Sequence, residues 1–341
     1  MLQKELIIIG GGPSGLRAGE EAGRQGLDYL IIEQGKVGQA WHEIRTQLPM
    51  LSPSHPQRDW TSISPRFPIW KLAVKRPFCS AGEFANYLQS YAEHFNLQLM
   101  IETRIKNVQK MNDHFVIDSE RGIMAAKIVI VCTGMFGNPH IPDIPGLRNN
   151  PRVMHSHFYQ NPDAWRGKRV IILGGGNSGV EIAIDLAGWS KIYLITRGPL
   201  KFFSRTKNLC DIRGISASYL LELIAMQLIQ HLQGVKIHEV KGNTIQVDRT
   251  ALKFDQIICA TGYKPVLNIL SSIPLKLNRK TSFPLVTSAG ETQGITNLFF
   301  AGPLAYHSMG SLFIHGFIKD IPKTMQVIKN RLRSKGLRTV R

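Results

Sequence analysis

The sequence predicts an α/β fold made of two similar domains, one inserted into the other. Two observations predict it: a nine-residue motif occurs twice in the 341-residue chain, and each copy leads from a β-branched strand into a helical stretch. The copies read IIIGGGPSG at residues 7–15 and IILGGGNSG at residues 171–179. The length and a hydrophobic content of 43% are sufficient for two separate cores.

Each copy contains the pattern G-x-G-x-x-G between the strand and the helix. The first glycine permits a tight turn, the second lets a pyrophosphate approach the backbone, and the third packs the helix against the strand. The helix N-terminus then offers free N–H groups and a positive dipole end to phosphates. The repeat therefore predicts two Rossmann-type dinucleotide-binding domains. In order, the glycines are Gly10, Gly12 and Gly15 in the first copy, and Gly174, Gly176 and Gly179 in the second.

The residue that ends the second strand of each domain selects the nucleotide. Glu33 lies 23 residues after Gly10, and Arg197 lies 23 residues after Gly174. A carboxylate accepts hydrogen bonds from ribose hydroxyls and repels a 2′-phosphate, whereas an arginine pairs with that phosphate. The first domain is therefore predicted to bind FAD and the second NADPH. The alternative for Arg197 is an ordinary solvated surface arginine.

A second, shorter repeat marks where the chain crosses between the domains. Residues 128–134 (IVIVCTG) and 257–262 (IICATG) both read as buried strands that end in Thr-Gly. The first is followed by a proline-rich stretch, which cannot be helical. We predict an FAD-binding domain from residues 1–146 and 266–341, with the NADPH-binding domain, residues 147–265, inserted into it.

Two segments near the C-terminus extend the predicted FAD-binding domain. Residues 297–302 (NLFFAG) read as a buried strand, and a helix is expected to begin at residues 310–312. If the N-terminus of that helix faces the flavin, its dipole stabilises the anionic edge of reduced FAD. An apolar stripe then predicts a docked terminal helix; its residues are Ile321, Met325, Ile328 and Leu332.

Composition and charge exclude several classes of protein. The formal charge of +18 is scattered and accompanies no nucleic-acid-binding motif, so attraction to anionic ligands explains it better than nucleic-acid binding does. No apolar run approaches the roughly 20 residues that span a bilayer, and no signal peptide is recognised. The four cysteines lack CxxC spacing, which indicates a cytoplasmic protein, and no metal-binding motif is present.

With these motifs the chain resembles the flavin-containing monooxygenase-like branch of the two-dinucleotide-binding-domain flavoproteins. The resemblance rests on GGGPSG with Glu33, on the GxxW pattern at residues 38–41, on CTG…PxxPxxPG at residues 132–146, on GGGNSG, and on ATGYKP at residues 260–265. It implies FAD at the first site, NADPH at the second, and a reduced flavin that forms a peroxyflavin and oxygenates a small organic substrate.

The repeats and the resemblance together predict a set of cofactor-binding residues. No catalytic side chain is predicted, because hydride passes directly from NADPH to the flavin. The predicted residues are Gly10, Gly12, Pro13, Ser14, Gly15, Glu33, Gln39, Trp41, Thr133, Gly134, Gly174, Gly176, Asn177, Ser178, Gly179, Arg197, Ala260, Thr261, Gly262, Gly302 and Ser311.

The family's signature FxGxxxHxxx[YF] is only half present. His155 and Tyr159 match it, but Asn149 and Pro151 stand at the Phe and Gly positions. One alternative is therefore a cysteine-free NADPH reductase that passes electrons to a ferredoxin or a quinone, since the basic charge suits an acidic protein partner. Another is a non-catalytic dinucleotide sensor. A homodimer is left open.

The proline-rich and aromatic segment at residues 49–78 is predicted to form a wall of the active site. It contains six prolines and large aromatic side chains, which suit a site that excludes water. The alternative is a rigid cover loop that binds no specific ligand.

Overall fold

The structure is a computed structural model that describes the whole chain except residues 46, 48, 51, 73–75, 201–209 and 337–341. Its strands are β1 (Leu2–Ile9), β2 (Tyr29–Ile32), β3 (Ser54–His55), β4 (Arg58–Asp59), β5 (Leu99–Met100), β6 (Ile105–Lys110), β7 (Phe115–Ser119), β8 (Gly122–Val131), β9 (Val153–His155), β10 (Arg169–Leu173), β11 (Lys191–Thr196), β12 (Ile229–Gln233), β13 (Ile237–Lys241), β14 (Thr244–Val247), β15 (Thr250–Lys253), β16 (Gln256–Cys259) and β17 (Leu298–Phe300). Its helices are α1 (Pro13–Arg24), α2 (Gln39–Glu43), α3 (Ala81–His94), α4 (Asn177–Leu186), α5 (Cys210–Ala225), α6 (Ile314–Phe317) and α7 (Ile321–Gly336).

The chain divides into two compact α/β units, so the predicted fold class is confirmed. Unit 1 comprises Met1–His42, Thr46–Asn138 and Lys264–Arg341, and unit 2 comprises Glu43–Arg45 and Pro139–Tyr263.

The first crossover lies earlier in the chain than the position expected from the sequence. Residues 139–146 belong to unit 2 because they pack there: the N–H of Val240 donates a hydrogen bond to the carbonyl of Pro145 at 2.8 Å. A Cβ on Gly146 would lie 1.9 Å from the carbonyl oxygen of Val240.

The main sheet of unit 1 has the order β5-β2-β1-β8-β7-β6, and β17 pairs with β8. Strands β2, β1, β8 and β17 run parallel, whereas β7 runs antiparallel to β8. The C-terminal half of β1 is buried on both faces, as its unbroken run of apolar residues requires in a parallel sheet. The glycine turn therefore starts from a strand at the centre of the sheet.

Two helices of unit 1 follow the sequence patterns closely. Helix α3 begins with a capping box, in which Ser80 accepts from the N–H of Glu83 and Glu83 accepts from the N–H of Ser80. In the described part of α7 the predicted apolar stripe is buried, which confirms a docked helix. Its residues are Ile321, Met325, Ile328 and Leu332.

Unit 2 repeats the central part of this plan. Its five-stranded sheet has the order β12-β11-β10-β16-β9 and is parallel throughout. The arrangement β11-β10-β16 corresponds to β2-β1-β8 in unit 1, so each glycine turn follows a central strand with the same neighbours. A small antiparallel sheet, β13-β14-β15, completes the unit. Among the helices of the described residues, none is long and apolar enough to cross a membrane.

Candidate cofactor-binding sites

The first glycine turn leaves open space at one of the three glycines of its G-x-G-x-x-G pattern. Gly10 has a φ of +112°, and a Cβ there would lie 2.6 Å from the carbonyl oxygen of Cys132. A Cβ on Gly15 would lie 1.8 Å from the carbonyl oxygen of Gly10. By contrast, a Cβ on Gly12 would meet no protein atom within 4 Å. Gly10 and Gly15 are thus required by the fold itself, whereas Gly12 faces space that a pyrophosphate fits.

Helix α1 starts directly at this open position. Gly12 is its N-cap, Pro13 is its first residue, and no side chain caps its free N–H groups. The dipole and these N–H groups favour an anion at this end of the helix. Ser14 is buried and hydrogen-bonds to Cys132, so its side chain faces the sheet.

The second glycine turn has the same geometry. Gly174 has a φ of +114°, and a Cβ there would lie 2.3 Å from the carbonyl oxygen of Ala260. A Cβ on Gly179 would lie 2.0 Å from the carbonyl oxygen of Gly174, but one on Gly176 would meet nothing within 4 Å. Gly176 is the N-cap of α4 and has no side-chain cap. The residues present therefore fit a second pyrophosphate. The first two residues of α4 are Asn177 and Ser178.

Glu33 lies at the carboxyl end of β2, against the first turn. Its carboxylate accepts hydrogen bonds from the N–H of Gly11 at 2.6 Å and the N–H of Gly35 at 2.9 Å. The residue is 7% exposed. In Rossmann-type domains, a buried carboxylate beside a glycine turn of this kind has the chemistry that recognises ribose hydroxyls.

Counting 23 residues from the first glycine makes Arg197 the counterpart of Glu33, but the structure gives a different counterpart. The N–H of Gly10 donates to the carbonyl of Ile32, and the N–H of Gly174 donates to the carbonyl of Ile195. The residue after Ile195 is Thr196, so Thr196, not Arg197, takes the place of Glu33. The reason is that unit 2 has one residue fewer between the first glycine and the strand residue whose carbonyl accepts from its N–H, Ile195 as against Ile32.

The positions beside the glycine turns agree with this correction. A Cβ on Gly11 would lie 2.9 Å from Cβ of Glu33, and a Cβ on Gly175 would lie 2.8 Å from Cγ2 of Thr196. Unit 2 therefore has no carboxylate at this position, and Arg197 follows it as an exposed residue just past β11. Sequence reasoning missed Thr196, although its place directly before an arginine at a strand end was a signal.

The two Thr-Gly crossovers adopt similar turns. Gly134 and Gly262 have φ values of +66° and +77°, a region that favours glycine. In unit 1 the hydroxyl of Thr133 donates to the carbonyl of Val266 at 3.4 Å, and in unit 2 the hydroxyl of Thr261 donates to the carbonyl of His140. Each threonine ties its turn to the neighbouring crossover segment of the same unit.

His155 fixes the second crossover from the other side. The N–H of His157 donates to Nδ1 of His155 at 3.0 Å, so Nδ1 carries no proton and Nε2–H donates to the carbonyl of Gly262 at 2.9 Å. Burial lowers the pKa of His155 to about 4, so the ring is neutral at pH 7. The hydroxyl of Tyr159 donates to Asp185 at 2.7 Å. His155 and Tyr159, the two residues that match the monooxygenase signature, thus both bind protein groups.

Four further predicted residues have structural contacts in unit 1. The side-chain Oε1 of Gln39 accepts from the N–H of Lys36 at 3.0 Å, and Trp41 packs edge-on against Phe84 with ring centroids 4.7 Å apart. A Cβ on Gly302 would lie 2.7 Å from the Oγ of Ser14. The fourth is Ser311, whose hydroxyl accepts from the N–H of His307 at 3.1 Å.

The prediction of a single helix that begins at residues 310–312 is wrong. The chain makes a 3₁₀ turn over Met309–Leu312, becomes extended at Phe313, and forms the four-residue helix α6 only afterwards. Two short pieces interrupted by an extended residue do not align their peptide dipoles as one long helix does. The expected dipole effect on the flavin therefore finds no support at Ser311.

Segment 49–78 is attached to α1 through a buried carboxylate that sequence reasoning missed. Glu20 is 3% exposed and accepts hydrogen bonds from the hydroxyls of Ser64, at 2.9 Å, and Tyr91. It also forms ion pairs with Arg17 and, at 2.6 Å, with Arg66. The segment is thereby connected to the helix that starts at the first glycine turn.

The described cysteines do not suit thiol redox chemistry. Cys79, Cys132 and Cys259 are free and buried, and burial raises the pKa of each thiol to about 12. A neutral thiol is a poor nucleophile at pH 7. The side chain of Cys210 lies outside the described residues. In the part of the chain that the structure describes, no group of three or more His, Cys, Asp or Glu residues could hold a metal ion.

A family model described as pyridine nucleotide-disulphide oxidoreductase matches residues 7–302. A probable indole-3-pyruvate monooxygenase of Arabidopsis thaliana is 27% identical over 291 residues, which cover 77% of this chain and 64% of the relative. Uncharacterized oxidoreductases of Geobacillus kaustophilus and Bacillus subtilis are each 28% identical, and the chain spans 56% of each of them, so it covers less than two thirds of the length of these curated relatives.

Two solved structures share the fold over nearly the whole chain. The bacillithiol disulfide reductase of Staphylococcus aureus superposes with a TM-score of 0.85 at 23% identity, covering 97% of this chain and 99% of the reductase. A flavin-containing monooxygenase from Stenotrophomonas maltophilia superposes with a TM-score of 0.83 at 23% identity, covering 97% of this chain and 100% of that protein.

Proposed function

The chain belongs to the pyridine nucleotide-disulphide oxidoreductase family, and we propose that it is an FAD-dependent enzyme that takes hydride from NADPH and oxygenates a small organic substrate. The resemblance that the motifs predicted is confirmed at the level of the family, and so is the class of enzyme, an oxidoreductase. We further propose that it acts in the cytoplasm, because the described cysteines are free and buried.

One observation carries the assignment of the cofactors. The two glycine turns have the same geometry, but Glu33 lies beside the first and Thr196, followed by Arg197, lies beside the second. A carboxylate suits the free ribose hydroxyls of FAD, whereas a small neutral residue next to an arginine suits the 2′-phosphate of NADPH. We therefore assign FAD to unit 1 and NADPH to unit 2, the same two domains that the sequence predicts.

The residues of the chain act by binding and orienting the two cofactors. FAD, when bound, supplies the hydride acceptor and the reactivity toward oxygen. The open sides of Gly12 and Gly176 admit the two pyrophosphates, and Glu33 and Arg197 select the nucleotide at each turn. His155 and Thr261 hold the Gly262 crossover by hydrogen bonds to backbone carbonyls.

We prefer a monooxygenase activity to a thiol-disulfide reductase activity for two reasons. Burial raises the pKa of each of the three described thiols to about 12, and the sequence has no CxxC pair. The Arabidopsis relative, which is named as a monooxygenase, aligns with most of this chain. A monooxygenase of this kind would act on a small-molecule substrate.

One observation favours a second candidate, a cysteine-free NADPH reductase. The monooxygenase signature is only half present, because Asn149 and Pro151 stand where it has Phe and Gly. An acceptor such as an acidic ferredoxin would suit the net charge of +18, and a quinone is the small-molecule counterpart.

Steady-state turnover separates the two candidates. NADPH oxidation in air is measured with thioethers, tertiary amines and indole-3-pyruvate, while the oxygenated product and hydrogen peroxide are quantified. We expect oxygenated product together with some peroxide. Negligible NADPH oxidation in air, combined with rapid anaerobic reduction of a quinone or a ferredoxin, would replace the monooxygenase by the reductase.

A further inference from the structure

Thr196 connects three segments of unit 2. Its Cγ2 methyl lies 2.8 Å from where a Cβ on Gly175 would be, so it packs on the glycine turn. Its carbonyl accepts from the N–H of Gly234 at 2.8 Å. Its hydroxyl lies 2.7 Å from the carbonyl oxygen of Gly198 and 2.9 Å from Nε2 of His231. At 5% exposure, Thr196 makes these hydrogen bonds away from water.

Only one arrangement of protons satisfies both contacts of this hydroxyl. A carbonyl oxygen can only accept, so the single hydroxyl proton of Thr196 goes to Gly198. Nε2 of His231 must then carry a proton and donate to the hydroxyl oxygen. Burial lowers the pKa of His231 below its ordinary value, so the ring is neutral and holds this one proton at pH 7.

These hydrogen bonds involve the residues on both sides of Arg197 in the chain. The residue before Arg197 supplies the hydroxyl, and the residue after it supplies the carbonyl that the hydroxyl binds. His231 stands on the neighbouring strand β12 and holds the hydroxyl in the orientation that reaches Gly198. The backbone on both sides of Arg197 is therefore fixed to the sheet, although its side chain is exposed.

We infer that His231, acting through Thr196, is a positioning residue for the 2′-phosphate of NADPH, because it holds the turn that presents Arg197. This inference rests on the proposed function, in which Arg197 binds that phosphate. A fixed turn limits the directions that a long arginine side chain can take and lowers the ordering cost when the phosphate binds. NADH has no such phosphate, so its binding does not depend on the direction of Arg197.

The test compares affinities for NADP+ and NAD+ by calorimetry on the FAD-loaded protein. Thr196→Val removes the hydroxyl but keeps the methyl against Gly175, and His231→Leu removes the donor. Each is expected to weaken NADP+ binding about 2- to 10-fold, the worth of one hydrogen bond, and to leave NAD+ binding within about 2-fold. Thr196→Ser and His231→Gln keep a hydroxyl and a donor, so they are expected to retain the ratio of the two affinities.

Arg197→Ala serves as the reference background. In that background Thr196→Val is expected to have no further effect on the ratio, because both changes act on the same contact. If Arg197→Ala lowers the ratio but Thr196→Val and His231→Leu do not, the positioning role is wrong and the phosphate site stands. If Arg197→Ala leaves the ratio unchanged, the phosphate site itself is wrong. Equal losses for NADP+ and NAD+ in the Thr196 and His231 variants would indicate a general folding role and overturn the inference.

Discussion

The carboxylate of Glu33 accepts a hydrogen bond from the backbone N–H of Gly11 at 2.6 Å. The carboxylate is thereby held against the first glycine turn. The second turn has the methyl group of Thr196 at the corresponding place. The two turns are alike in their backbones and differ in the charge beside them, which is why they are expected to bind different nucleotides.

A side chain that blocks one glycine turn should abolish the binding of one cofactor and leave the binding of the other unchanged. Gly12→Val places a side chain in space that contains no protein atom within 4 Å of the Cβ, so the variant should fold but bind little FAD. Gly176→Val should keep FAD and lose affinity for NADP+ for the same reason. Flavin absorbance after purification and NADP+ calorimetry measure the two effects. A full flavin content in Gly12→Val would refute the first assignment.

Gly15→Ala is the matched control for these variants. Its Cβ would lie 1.8 Å from the carbonyl oxygen of Gly10, so the helix must move away from the strand. We expect a loss of stability even without cofactor, in contrast to Gly12→Val. Thermal unfolding of the apoproteins distinguishes the two cases: the melting temperature should fall in Gly15→Ala and stay near that of the wild type in Gly12→Val.

Replacing Arg197 should change the preference between NADPH and NADH. Loss of a charge-assisted pair with the 2′-phosphate costs roughly 1.5–3 kcal/mol, or about 10- to 150-fold in NADPH affinity. Use of NADH by Arg197→Ala should remain nearly unchanged. The ratio of kcat/KM for the two nucleotides measures this effect, and an equal loss with both would assign Arg197 to folding instead.

The buried neutral ring of His155 predicts a loss of stability in acid. Burial lowers its pKa to about 4 in the folded protein, against about 6.5 in an unfolded chain. Between these values the unfolded state binds more protons, so the free energy of unfolding falls as the pH drops from 6.5 toward 4. This histidine contributes at most about 3 kcal/mol to that fall.

His155→Gln provides the comparison for this pH dependence. Glutamine retains an N–H donor for the carbonyl of Gly262 but does not titrate. Urea unfolding at several pH values gives the free energy of unfolding as a function of pH. Between pH 6.5 and 4 this free energy should fall less steeply for His155→Gln than for the wild type. Parallel curves for the two proteins would mean that His155 does not carry the effect.

The buried carboxylate of Glu20 should be important for stability. It binds two arginines and two hydroxyls, so Glu20→Ala leaves buried donors without their acceptor and is expected to cost about 3–5 kcal/mol in the free energy of unfolding. Asp113, whose contact with His114 lies at the surface, is the control, and Asp113→Ala should have no measurable effect. Urea unfolding measures both, and similar curves for the two variants would contradict the assigned role of Glu20.

Much of the fold could be predicted because its elements leave local patterns. The glycine motifs mark both strand-to-helix turns, and the apolar stripe marks helix α7. These patterns involve residues close together in the chain, where sterics and periodicity act directly.

The remaining parts depend on contacts between residues that are distant in the sequence. The place of Thr196 beside Gly175 depends on strand register, which a one-residue difference in the preceding segment changes. The hydrogen bond from Ser64 to Glu20 joins residues 44 positions apart, and no periodicity reveals it. The extended break at Phe313, which separates two short helical pieces, was likewise not visible in the sequence pattern.

We propose that unit 1 holds FAD and that NADPH bound to unit 2 reduces it. The most direct measurement is anaerobic rapid mixing of the purified protein with NADPH while the flavin absorbance is followed, with Gly176→Val as the comparison. We predict that the wild-type flavin is bleached at a rate that saturates with NADPH and exceeds the rate with NADH. Gly176→Val should retain its flavin, be bleached by dithionite and respond only weakly to NADPH. A wild-type protein that binds no FAD, or a Gly176→Val variant reduced by NADPH at the wild-type rate, would contradict the claim.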